Sequence, residues 1–157
     1  MNLPELADFS LAGGTALALR YCQVHSTNKV GIFCYINDIK VDLVKYHYFP
    51  VIASVEDTDG IRLLNDKDLI AMKVNAILRR GVKKDFWDIA ELMQHYTITD
   101  FVNYYTQKYP NQRQLISIPR ALIYFEDAEK SENPICLNEQ TWEDVKTVIR
   151  KKVNEFL

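Results

Sequence analysis

Gly13-Gly14-Thr15 stands between the short apolar run Phe9-Ser10-Leu11-Ala12 and the helix formers Ala16-Leu17-Ala18-Leu19-Arg20. Without Cβ atoms a glycine pair lets backbone approach a phosphate, and the free N–H groups that open the following helix favour an anion. Gly13, Gly14 and Thr15 are therefore candidate triphosphate ligands, although the same residues also make an ordinary turn with a threonine cap. Asp42 sits in Ile39-Lys40-Val41-Asp42-Leu43-Val44, where apolar strand residues dominate. A carboxylate buried there would need a partner. It reads as a ligand for a divalent metal or a base for an attacking hydroxyl, or else as a residue on a solvated strand face beside Lys40 or Lys45.

A second set follows. Lys73 interrupts an apolar helix surface and shares its side with Ile77 and Arg80, so both cations could meet a phosphate, or Lys73 could simply snorkel from a core helix. Lys84, Asp85 and Asp88 come next, with both acids on one side of the next helix. That places them to pair with Lys73 and Arg80 and to hold two helices together. His25, His47 and His95 have neither metal-ligand spacing nor a nucleophile partner and read as surface or packing residues. Tyr104, Tyr105, Tyr109, Tyr124 and Phe125 could stack on bases, but aromatic residues at helical spacing more often belong to a core.

These side chains need a scaffold, and hydrophobic periodicity outlines one. Phe9 to Ala12 reads as a strand, followed by the turn and a helix over Ala16 to Arg20. Val30 to Ile36, the turn Asn37-Asp38 and Ile39 to Tyr46 read as a hairpin, and the poor alternation of its first strand suggests cover on both faces. Helical spacing begins near residue 67 and runs to about residue 80, with Gly81 placed to end it. Phe86, Ile89, Ala90 and Met93 continue in a helix to about His95, and another spans about Thr99 to Lys108, closed by Pro110. Pro119 opens a helix over Arg120 to Ala128, Asn133-Pro134 marks a loop, and Thr141 with Asp144 opens a last amphipathic helix carrying Trp142, Val145, Ile149 and Val153. The expected organisation is a β-containing part over 1–65 and a helical part over 66–157 of the same domain.

With 157 residues, 48% of them hydrophobic, the chain can bury a core of its own. Cys22, Cys34 and Cys136 are odd in number and widely spaced, which argues against a disulfide framework and against a zinc site. A formal charge of -2 gives no global attraction to nucleic acid. Neither a membrane span nor a signal peptide is evident, so the expected compartment is the cytoplasm and no membrane partner is expected.

Three segments taken together resemble the AbiEii/AbiGii toxin family of nucleotidyltransferases. They are Phe9 to Leu19 with its Gly-Gly-Thr turn, Ile39-Lys40-Val41-Asp42-Leu43, and Asp68-Leu69-Ile70-Ala71-Met72-Lys73-Val74-Asn75-Ala76-Ile77 continuing through Arg80-Gly81 to Lys84-Asp85-Phe86-Trp87-Asp88-Ile89. Tyr124-Phe125-Glu126-Asp127-Ala128-Glu129 and a helix opened near Trp142 extend the similarity into the tail. The resemblance implies an α+β class: a truncated nucleotidyltransferase-like small mixed sheet flanked by helices, with a C-terminal helical bundle. It implies that Gly13, Gly14 and Thr15 receive the triphosphate, that Asp42 is one of the carboxylates holding Mg2+, and that Lys73 supports the nucleotide, with Arg80 beside it. Members are typically bacterial toxins of toxin–antitoxin or phage-defence systems acting on nucleotides or tRNA, so nucleotide, RNA and an antitoxin protein are the implied partners.

The sequence departs from the family at one place. Where the family has Arg and Ser and then an Asp-x-Asp pair on a strand, this chain reads Tyr21-Cys22-Gln23-Val24-His25-Ser26-Thr27-Asn28-Lys29 and continues to the hairpin, as if a strand and a helix were deleted. Two functions follow as expectations. One is Mg-dependent transfer of a nucleoside monophosphate to RNA or protein, with Asp42 and Lys73 as the catalytic residues. The other is a catalytically inactive remnant that binds a nucleotide or a partner. A lost strand would leave an open sheet edge, which favours a homodimer or another partner.

Overall fold

The structure is a computed structural model that describes residues 23–27, 31–36, 38–44, 50–58, 61–136 and 139–157. The Gly13-Gly14-Thr15 turn with its expected strand and helix lies outside these residues, as do Cys22 and His47. Two compact units are present, Met1–Asn65 and Asp66–Leu157.

The first unit is antiparallel. Strands β1 (Gln23–Thr27), β2 (Gly31–Ile36) and β3 (Ile39–Val44) form one sheet in that order, and β4 (Glu56–Thr58) pairs with β5 (Ile61–Leu63) in a second. Every described pair of strands is antiparallel, where a mixed sheet was expected. The hairpin of β2 and β3 turns through Asp38 at φ 65°, a left-handed conformation that Asp tolerates. Its register sets Cys34 against Val41 and Phe33 against Asp42. Cys34, Val41 and Leu43 are buried, whereas Lys40, Asp42 and Val44 lie on the exposed alternation of β3. At the start of β2, a Cβ on Gly31 would fall 2.3 Å from the Leu43 carbonyl oxygen, so close pairing with β3 requires glycine there.

β1 corrects the reading of residues 21–29. That segment does not run straight to the hairpin: Gln23 to Thr27 pair with β2 as a third strand, and β2 is the middle of the sheet. The register slips between Val24 and Ser26, leaving His25 as the extra residue of a bulge. Its mixed, polar sequence has neither an apolar run nor a clean alternation, so pairing with β2 rather than side-chain pattern makes it a strand.

The second unit is helical: α1 (Asp66–Arg79), α2 (Lys83–Leu92), α3 (Ile98–Lys108), α4 (Ile118–Leu122), α5 (Glu126–Glu129) and α6 (Trp142–Phe156). α1 has Asp66 and Asp68 in its first turn and Arg79 in its last, the distribution that its dipole favours. Gly81 at φ 51° ends it, its N–H donating to the Ala76 carbonyl. α1 packs against α2, α3 and α4, and α6 closes over α2, α3 and α4. Ile70, Phe86, Ile89, Phe101, Leu122, Ile149 and Val153 are fully buried between them. Around α6 the rings of Phe86, Phe125, Trp87 and Trp142 meet, the two indoles stacked at 5.3 Å and Phe125 edge-on to Trp142 at 5.6 Å.

One helix was expected over Arg120 to Ala128, and the structure has two short ones broken at Ile123–Phe125. Leu122, Phe125 and Ala128 are all buried and recur every three residues. A straight helix would carry that spacing around its surface, and the break keeps all three on the core.

α3 and α6 begin with the same device. Thr97 and Thr141 accept from the N–H of Asp100 and Asp144, whose carboxylates accept from the threonine N–H in return. Hydrogen bonding from the threonine side chain holds both carboxyls below their ordinary value of 3.8. A depressed folded-state pKa contributes stability above the unfolded value and loses it as pH falls through the folded value. The thermal midpoint of the wild type should therefore exceed that of Asp144→Ala at pH 7, and the gap should narrow at a pH well below 3.8. Equal gaps at both pH values in thermal melts followed by circular dichroism would contradict a charge-dependent cap.

Candidate functional site

Four charged residues meet where α1 faces α2. Lys73 and Arg80 stand two turns apart on one side of α1, and Asp85 and Asp88 stand three residues apart on α2. Asp85 has no exposed side-chain surface. It accepts from Lys73 Nζ at 3.4 Å through Oδ1, from Arg80 Nε at 3.2 Å through Oδ2 and from Arg80 Nη2 at 3.4 Å through Oδ1. The guanidinium thus grips both carboxylate oxygens, the geometry that Arg supplies and Lys cannot. Asp88 adds a second carboxylate to Lys73 Nζ and is half exposed. Lys84 is exposed beside them in sequence.

Helix geometry explains the convergence. Arg80 follows the last residue of α1, Gly81 turns the chain, and Val82 stands extended before α2, so Asp85 in the first turn of α2 comes back to the side of α1 that carries Lys73 and Arg80. The Asp85 N–H donates to the Val82 carbonyl, which fixes that first turn.

A cleft of about 250 Å³ opens at the C-terminal end of α1, lined by Ile77, Leu78, Gly81, Ile116, Ala121, Tyr124 and Asp127, and none of the four charged residues lines it. Tyr124 is exposed, and its hydroxyl donates to Glu126 at 3.1 Å. That bond and the neighbouring acids hold the phenol above its ordinary value. The rest of the aromatic stretch is core or its border: Tyr105, Tyr109 and Phe125 are buried and Tyr104 is half-buried. His95 is exposed, Cys34 is buried and Cys136 partly buried.

Asp42 lies in the other unit. Its side chain is 42% exposed on β3, and Lys40 Nζ stands 3.6 Å from its Oδ2. The solvated strand face, one of the two sequence readings of this residue, describes that position. Among the described residues Asp42 is a half-exposed carboxylate with an ammonium at its side, a poor fit for a magnesium ion, which takes oxygen ligands and is repelled by a cation. Among the described residues no group of three His, Cys, Asp or Glu side chains gathers in a way that would hold a metal. β1 contains no carboxylate.

A further ionic pair was not legible in the sequence. Lys108 at the end of α3 donates to Asp68 of α1 at 2.5 Å, and both side chains are almost completely buried. Asp68 shares the α3-facing side of α1 with Asn75, whose Oδ1 is buried without a hydrogen-bond partner among the described residues, as is Trp87 Nε1 on α2. At the other end of the bundle Lys146 bonds Glu129 at 3.0 Å and Glu143 at 2.5 Å, and these bonds raise its pKa.

Fold and site together define a mixed α/β protein with two small antiparallel sheets and a helical bundle that carries an ion-paired seam. No helix among the described residues is long and apolar enough to cross a membrane. No family model matches the chain, and no solved structure matches it. It is 30% identical over 186 aligned residues to the uncharacterized protein aq_aa25 of Aquifex aeolicus (strain VF5), an alignment covering 96% of this chain and 88% of that protein. The chain belongs to the family of that protein. The alignment is longer than the 157 residues of this chain, so the Aquifex protein carries residues that are absent here.

The Asp68–Lys108 pair yields a stability prediction. Lys108→Met leaves the Asp68 carboxylate buried without its ammonium and should cost about 3–5 kcal/mol in denaturant unfolding, whereas the double variant Asp68→Leu/Lys108→Met should regain most of that loss. Equal losses in the single and the double variant would mean that the pair is not coupled.

Proposed function

We propose that this protein is a nucleotidyltransferase-family protein resembling the AbiEii/AbiGii toxins, and that it acts as a nucleotide-binding scaffold of a toxin–antitoxin or phage-defence system. The observation that carries the reading is the convergence of Lys73 and Arg80 on one side of α1, both partly exposed and both anchored by the buried Asp85. Two cations held by a fixed carboxylate are an ordered set of donors for phosphate oxygens, and the guanidinium fork is suited to them.

Nucleotidyl transfer in such a fold uses magnesium to neutralise the charge on the reacting phosphates. Asp42 beside Lys40 is a poor ligand for that ion, so binding rather than transfer is the activity that this chain's own residues favour. An antitoxin protein or an RNA would then meet the protein as a binding partner, and a second copy of the chain is a further candidate.

Calorimetric titration with each nucleoside triphosphate, with and without magnesium, tests this. Binding should occur without magnesium, weaken at least ten-fold in Lys73→Ala and persist in Asp42→Asn. Magnesium-dependent binding lost in Asp42→Asn would instead favour the active transferase, and no binding to any triphosphate would remove the nucleotide from the proposal.

A further inference from the structure

Lys73 and Arg80 are the proposed phosphate ligands, yet both are already paired. The four charges of the cluster, Lys73 and Arg80 against Asp85 and Asp88, cancel, and a neutral cluster attracts no anion at a distance. The two carboxylates are not equivalent. Asp85 has no exposed surface and is shared between Lys73 and Arg80, so it cannot leave without stranding a buried charge. Asp88 is 47% exposed, bonds Lys73, and lies where its side chain can turn into water by a change of rotamer while the backbone of α2 stays in place. Lys73 and Arg80 remain 32% and 56% exposed, so a solute can reach both.

We infer that Asp88 is the internal counter-ion of this phosphate site: it occupies Lys73 in the free protein, and a polyphosphate must displace it to bind, while Asp85 stays and positions both cations. Asp88 thus sets the affinity of the site, and it rejects weakly charged anions, because only a ligand carrying several charges outcompetes a carboxylate already in place. The inference rests on the nucleotide-binding reading of Lys73 and Arg80 and adds to it the residue that tunes that binding. Exposed ion pairs are individually weak, so the barrier that Asp88 presents is modest and can be overcome by a triphosphate.

The test uses the full chain and two probes, inorganic tripolyphosphate and ATP, titrated calorimetrically at low and at physiological ionic strength. Asp88→Asn removes the charge and keeps the shape. It should bind tripolyphosphate about 5- to 10-fold more tightly than the wild type at low salt, with a smaller gain at higher salt. Asp88→Glu restores the charge and should behave as the wild type, and Asp88→Asn/Lys73→Ala should lose the gain. Circular dichroism of each variant checks that it is folded. If Asp88→Asn binds both probes with wild-type affinity, the counter-ion role is wrong while the nucleotide reading stands. If neither the wild type nor Asp88→Asn binds either probe, both are wrong.

Discussion

A carboxylate taken wholly out of water needs cations and donors to replace its hydration, and Asp85 is such a group. Lys73 comes from α1 and Arg80 from the residue that follows it, and the first turn of α2 holds the acid itself. The seam between the two helices is consequently fixed in rotation as well as in spacing, because a quarter-turn of either helix would separate the charges. Gly81 makes the arrangement possible, since its left-handed backbone reverses the chain within the few residues that separate Arg80 from Asp85. On the same α2, Phe86 meets the aromatic group around Trp142, so the ionic seam and the aromatic core share one helix.

The bundle carries a second buried ionic contact, Asp68 with Lys108, on the other flank of α1. α1 is therefore tied by charge to α2 on one side and to α3 on the other, and its apolar residues Ile70, Val74 and Ile77 fill the arc between. Hydrophobic burial drives the packing of these helices, but it is indifferent to small rotations. Charged groups that must find their partners in a medium of low polarity are not, and they give α1 a single orientation. The phosphate-binding proposal depends on this, because a site built on a rigid helix face holds its donors in place before a ligand arrives.

The β-containing unit is organised by different constraints. Gly31 allows β2 to approach β3 at a distance that any side chain would prevent, and Asp38 accepts the left-handed turn between them. The resulting alternation puts Val41 and Leu43 inward and Asp42 outward beside Lys40. Period-2 geometry alone places Asp42 opposite in direction to its apolar neighbours. What remained open in the sequence was whether that outward face was covered.

Local rules made much of this chain readable in advance. Four helices, α1, α2, α3 and α6, lie within a few residues of the spans that periodicity marks, because a 3.6-residue period, a Thr–Asp cap and a terminating glycine act over a single turn or two. The β2–β3 hairpin is legible for the same reason. The sequence carries a turn-type pair, Asp59-Gly60, between the short segments of β4 and β5. Tertiary structure alone decided the rest. β1 is a strand because β2 offers it hydrogen bonds, the helix after Pro119 breaks because Phe125 must face the aromatic core, and Lys108 is buried because Asp68, forty residues earlier, waits beneath it. Lys73, Arg80, Asp85 and Asp88 were identifiable by spacing, but the asymmetry between a sealed Asp85 and a half-exposed Asp88 was not. Sequence spacing records which residues share a side of a helix, while burial depends on what the rest of the chain lays against that side.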